Sequence, residues 1–165
     1  MSPEYKRKPA NQDEIKLYCL VGEALCMVQH LEDALSHSIT LKRDVKKPYS
    51  MPLIKANELL EGYRFYTLGR AISLAKKEGI YTESLLQNLE IFLSERNWLV
   101  HKCMPQNRED VYFETSKNRL FHKIKGITEQ AQILLQFIEA DLIDFSSSNG
   151  LDMSGIKAVM QKYYE

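Results

Sequence analysis

Cysteine, proline and glycine are scarce in this chain of 165 residues: 3 Cys, 5 Pro and 7 Gly. So few turn-forming residues exclude a β-sandwich or barrel, which needs many tight turns. The cysteines stand at 19, 26 and 103, an odd number with no CxxC pair. That gives neither a disulfide framework nor a usual zinc site, and a reducing cytoplasm is the expectation. No apolar run approaches the roughly 18 residues of a membrane span. The opening MSPEYKRKPANQ has no hydrophobic stretch after its basic cluster. It is expected to be a loose polar arm over residues 1–12, not a secretory signal. An excess of one charge is also lacking: Lys+Arg is 22 and Asp+Glu is 22. Nucleic-acid binding by bulk charge alone is thereby excluded, whereas a local basic surface is not. The chain does have enough apolar residues, 44%, to fold as one domain.

Those residues recur with helical spacing. Leu17, Val21, Ala24, Val28, Leu31 and Leu35 step by 4, 3, 4, 3 and 4, which predicts one apolar face of a helix from about Asp13 to Leu41. KRDVKKPYSMP, with two prolines and a basic run, predicts a loop. Leu60, Tyr63, Leu68, Ile72 and Ala75 predict a second helix from about Lys55 to Glu78, stopped by Gly79. Thr82 is the expected N-cap of a third helix carrying Leu85, Leu89, Phe92, Leu99 and Cys103 and stopping at or just before Pro105. A fourth starts between Glu109 and Ser116 and ends near Phe145, with Leu120, Ile124, Ile127, Ala131, Leu134 and Ile138 on one face. VYF at 111–113 is the sole β-like fragment and is too short to build a sheet. The expected fold is all-α: an antiparallel four-helix bundle over 13–145, then a linker and short C-terminal helix over 146–165.

Charge is unevenly spread. Lys42, Arg43, Lys46 and Lys47 crowd the first loop, and Lys117, Arg119, Lys123 and Lys125 crowd the start of the fourth helix. Between Gly126 and Ile156 there are five acids and no Lys or Arg. One reading is a set of solvated faces; the sharper one is a single basic end that meets phosphates.

The third helix breaks its own pattern. The stripe through Leu85, Leu89 and Phe92 continues to Arg96, Leu99 and Cys103, placing an arginine where a core residue belongs. The neighbouring stripe, Leu86, Leu89, Leu93, Asn97 and Val100, places an asparagine there. A buried charge needs a partner or a job. In the structural reading, Arg96 pairs with an acid of another helix. In the chemical reading, Arg96, Asn97 and His101 form a site. Asn97 and His101 share a face, and Arg96 lies about 140° from His101 at ~100° per residue. An imidazole exchanges protons near neutrality, a guanidinium matches phosphate oxygens, and an amide orients either. Together they suit RNA cleavage by attack of the 2′-hydroxyl on the adjacent phosphate, which requires no metal.

Arg96-Asn97-xxx-His101 on the third helix of a small all-α bundle resembles the HEPN superfamily, whose hallmark is Arg, a polar residue, several variable positions, then His. The resemblance implies a metal-independent endoribonuclease of a toxin, anti-phage or RNA-processing system. It also implies a homodimer in which two motifs face one cleft, with no cofactor. By position, Arg96 would hold the phosphate, His101 would transfer a proton and Asn97 would orient the site. Some toxin members follow the His with x-Tyr, which a partner antitoxin nucleotidylates; here Lys102 and Cys103 stand there. Any regulator is expected to be a separate protein. The alternative is a non-catalytic HEPN-like module that binds a nucleotide or a protein partner.

Other residues carry weaker signals. Lys102, Lys46, Lys47, Lys117 and Arg119 are candidate RNA-backbone contacts. His30 and His37, seven apart with Glu23 or Glu32 nearby, lack the Glu-x-x-His pairs of a metal-carboxylate bundle, so no metal is expected. His122 reads as a surface residue, Cys103 as a buried thiol, and Trp98 as a core or dimer anchor. Tyr63, Phe65 and Tyr66 read as bundle packing.

Overall fold

The computed structural model describes residues 8–164, so positions 1–7 of the expected arm lie outside the described residues. Asn11 starts the first helix, α1 (Gln12–Ile39), through a capping box: its side chain accepts from Glu14 N at 2.9 Å, and Glu14 accepts from Asn11 N at 2.8 Å. The predicted stripe faces inward: Leu17, Ala24, Val28, Leu31 and Leu35 are buried, and Val21 packs at the margin. The helix does not end at Leu41 but widens into a π-helical turn over Thr40–Val45, closed by Lys46 N donating to Leu41 O at 2.7 Å.

The predicted second helix is two helices, α2 (Leu53–Arg64) and α3 (Leu68–Lys77). Tyr63 and Leu68 are both buried but five residues apart, a step of about 140° that a continuous helix cannot keep on one face. The chain breaks at Phe65–Thr67, and Thr67 caps α3 by accepting from Arg70 N at 3.3 Å. Phe65, expected in the packing, is 87% exposed in this break. The far end of α3 stops as predicted. Gly79 adopts φ 62°, Ile80 N donates to Ala75 O and Gly79 N to Lys76 O, the paired bonds of a Schellman ending.

Thr82 caps α4 (Glu83–His101) by accepting from Leu85 N. Pro105 does not end this helix; it sits in a short α5 (Cys103–Gln106), in a first turn that has no need of its N–H. VYF is no strand: Asp110–Tyr112 forms a 3₁₀ turn leading into α6 (Glu114–Ser148), which overruns the expected end at Phe145 by three residues. Gly150, at φ 87°, turns the chain into α7 (Ser154–Tyr164), which lies on the surface, with Tyr164 donating to Glu139 at 2.5 Å. Among the described residues there is no strand and no helix long and apolar enough to cross a membrane.

The core lies mainly between α1 and α6. All six predicted α6 residues, Leu120 through Ile138, are buried. Lys117 of α6 bonds Asp13 near the start of α1, and Lys42, just past α1, bonds Asp141 near the end of α6. These two long helices therefore run in the same direction, and α4 runs against both. In a four-helix antiparallel bundle the first and last helices would oppose each other; the break between α2 and α3 adds the extra reversal.

Candidate functional site at the C-terminal half of α4

Gly69, at the start of α3, lies against Leu93 of α4: a Cβ there would sit 3.3 Å from the Leu93 side chain. Residues of α4 beyond Leu93 therefore project past the N-terminus of α3. Arg96 and Val100 continue the inward line of α4 but keep partial exposure, and Val100 is 41% exposed. The short α3 explains how an arginine occupies a core register.

Arg96 has a partner. Its Nε donates to one oxygen, Oε1, of Glu32 on α1 at 3.1 Å, and Nη2 lies 3.0 Å from the same oxygen as an ion pair. The two side chains are 19% and 26% exposed. Arg96 Nη1 turns toward Asn97 Oδ1, a long contact of 3.5 Å. Asn97 is exposed, and so is His101, which ends α4 one turn further on. The arginine thus spans part of the 140° that separates it from His101. One N–H is bonded to Glu32 with a second nitrogen against the same oxygen, and Nη1 turns toward the exposed Asn97. Sequence reasoning did not find Glu32 as this partner; the i, i+3 and i, i+4 arithmetic of α4 contains no information about α1.

Around these residues, Trp98 is half-buried with Lys123 Nζ 3.9 Å from its ring centroid, and Lys123 lies 3.8 Å from Glu95. Trp98 thus anchors α4 on α6. Cys103 is buried as expected, and burial pushes its thiol pKa up, away from thiolate chemistry. His37 pairs with Asp33 at 3.4 Å, and His30 and His122 are exposed. Among the described residues no group of three or more His, Cys, Asp or Glu is arranged to hold a metal ion.

The basic clusters do not form one end. Lys46 and Lys47 follow α1 and are exposed; Lys117 and Arg119 begin α6, near the start of α1. α1 alone, 28 residues, separates the two by about 42 Å. Much of the charge is also spent internally. Lys42 bonds Asp141 at 2.6 Å and Ile80 O at 2.8 Å. Arg43 bonds Tyr63, which in turn donates to Asp44 at 2.7 Å. Lys117 bridges Asp13 at 3.0 Å and Glu114 at 2.7 Å. Lys102 and Arg119 remain exposed toward the His101 end.

A second feature adjoins the motif. Where the chain breaks before α3, a recess of about 130 Å³ opens, lined by Gln29, Glu32 and Asp33 of α1, by Arg64 and Tyr66, and by Leu68 at the start of α3. Glu32 is common to both. The sequence gives no sign of this recess, because the stripe from Leu60 to Ala75 predicts one helix over 55–78. Comparison with protein-family models, with curated proteins and with solved structures finds no match to this chain.

Proposed function

We propose that this chain is a metal-independent endoribonuclease with a HEPN-like helical core, acting in a toxin or anti-phage defence system. Its site is Arg96, Asn97 and His101, completed by a second copy across the exposed side of α4. The observation that carries this reading is the partly exposed arginine on an inward register, held by one Glu32 oxygen and turned toward Asn97. A guanidinium fixed in this way is organised for a phosphate before substrate arrives.

In the reaction, the 2′-hydroxyl of RNA attacks the neighbouring phosphorus and the bond to the 5′-oxygen breaks. The products are a 2′,3′-cyclic phosphate and a 5′-hydroxyl. Arg96 bonds the non-bridging oxygens, whose charge grows in the transition state. His101 moves one of the two protons the reaction requires, and Asn97 holds the geometry. Lys102 and Arg119 attract the backbone. Lys117 takes part only by exchanging Asp13 or Glu114 for a phosphate, and Lys46 and Lys47 contact RNA only at a distance from the cut. Cellular RNA incubated with excess chelator tests the reading. Wild type cleaves, and folded His101→Ala leaves the RNA intact; equal cleavage by both removes His101 from the site.

The ion pair itself favours a second reading, in which Arg96 and Glu32 are structural and the chain is a non-catalytic module that binds a nucleotide or a protein partner. Nucleotide binding without turnover, with Arg96→Ala reducing stability alone, supports that reading.

A further inference from the structure

The recess beside the motif shares Glu32 with it and is lined by both polar and aromatic side chains. Its volume, about 130 Å³, is several times the roughly 10–15 Å³ that one water requires. That is the scale of one planar heterocycle. Tyr66 forms a wall and is braced from outside the recess: the Arg70 guanidinium lies 3.8 Å from its ring centroid, and Tyr63 meets it edge-on at 5.4 Å and 81°. A braced aromatic ring is a stacking platform of the kind single-stranded RNA uses.

The polar lining is rich in acceptors. Arg64 bonds Asp33 at 2.7 Å and also Glu61, so its charge is committed. Asp33 is occupied by Arg64 and His37. Glu32 bonds Arg96 through Oε1, and among the described residues its Oε2 has no hydrogen bond. Gln29 stands one turn before Glu32 on α1 and offers an amide oxygen. A carboxylate can only accept, and the Gln29 amide, turned with its oxygen inward, sets a second acceptor beside it. Guanine alone among the four RNA bases carries two adjacent N–H donors on its Watson–Crick edge. Uracil, cytosine and adenine each set an acceptor beside their donor.

We propose that this recess is the base-recognition subsite of the enzyme, taking the guanine of the nucleotide adjoining the cut. Guanine N1–H and N2–H donate to Glu32 and Gln29, and Tyr66 stacks on the ring. Glu32 then reads the base with one oxygen and positions Arg96 with the other, coupling recognition to phosphate binding. This inference rests on the ribonuclease reading for its place in catalysis, but not for the binding itself.

The test titrates 3′-GMP, 3′-UMP, 3′-CMP and 3′-AMP into the full chain by calorimetry, and maps cut sites on RNA in chelator. Wild type is expected to bind 3′-GMP about tenfold or more tightly than the other three, the discrimination of one good paired contact. Gln29→Ala, on the exposed side of α1, should abolish most of that preference and flatten the cut-site profile. Tyr66→Leu should weaken all four nucleotides, and His101→Ala should keep the 3′-GMP preference while losing cleavage. If RNA is cut without regard to guanine and Gln29→Ala changes neither profile nor binding, the subsite is overturned and the ribonuclease reading stands. A 3′-GMP preference in a chain that cuts no RNA overturns the ribonuclease reading and leaves the recess a guanine-nucleotide site. Absence of both overturns both.

Discussion

The Arg96–Glu32 pair makes a prediction whose size decides between its two roles. Arg96 Nε and Nη2 lie 3.1 and 3.0 Å from the same oxygen, and the two side chains are 19% and 26% exposed. Two unit charges about 4 Å apart at an effective dielectric of about 20 attract by ~4 kcal/mol. Desolvation and the ordering of two long side chains cancel most of this; exposed pairs retain about 0.2–1 kcal/mol, whereas breaking a fully buried pair costs about 3–5. A pair of this intermediate burial should couple by about 1–2 kcal/mol. The assay is a double-mutant cycle of Glu32→Gln and Arg96→Gln by urea denaturation, with Tm as a check. For a chain of this size each kcal/mol moves Tm by about 2–4 °C. Coupling below about 0.3 kcal/mol would refute the pairing. Coupling above about 3 kcal/mol would mark a buried structural bridge whose arginine is unavailable to phosphate, and would refute the proposed role of Arg96.

Several other outcomes follow from the same structure. Phe92→Ala, at a fully buried position, should cost about 3–5 kcal/mol in a urea titration; a loss under 1 would contradict the packing of α4. In the native chain, a thiol reagent should label Cys19 and Cys26 quickly and Cys103 only after denaturant is added; three equal rates would contradict the burial of Cys103. Burial raises the phenol of Tyr81 and that of Tyr63, and takes Tyr164 up to about 12. The folded state therefore keeps protons that the unfolded chain releases above pH about 10. Stability should fall as pH rises past 10, by up to ~1.4 kcal/mol per pH unit for each of the buried phenols Tyr81 and Tyr63, and by less for the more exposed Tyr164, where solvent screens the effect. A flat stability between pH 9 and 11.5 would contradict this.

How much of this was legible depended on range. Local signals worked: the 4–3 spacing of Leu17 to Leu35 and of Leu120 to Ile138 named buried faces, Thr82 and Gly79 marked helix ends, and Pro105 came within four residues of the end of α4. The break at Phe65–Thr67 left a trace, the five-residue step from Tyr63 to Leu68, that a coarse stripe absorbs. Tertiary facts left none. That Glu32 holds Arg96, that Lys117 answers to Asp13, and that the two basic clusters lie at opposite ends follow from how helices dock. The single misjudged break carried the largest consequence, because it reverses the chain once more, sets α1 and α6 in the same direction, and opens the recess beside Glu32.

Cleavage by 2′-hydroxyl attack leaves its signature on the ends of the RNA products. Wild type and folded His101→Ala would be incubated with RNA in excess chelator, and the new ends assayed for phosphatase resistance and for labelling by polynucleotide kinase. Wild type should give 2′,3′-cyclic phosphates and 5′-hydroxyls, and His101→Ala none. Products bearing 5′-phosphates, or cleavage that survives the loss of His101, would contradict it.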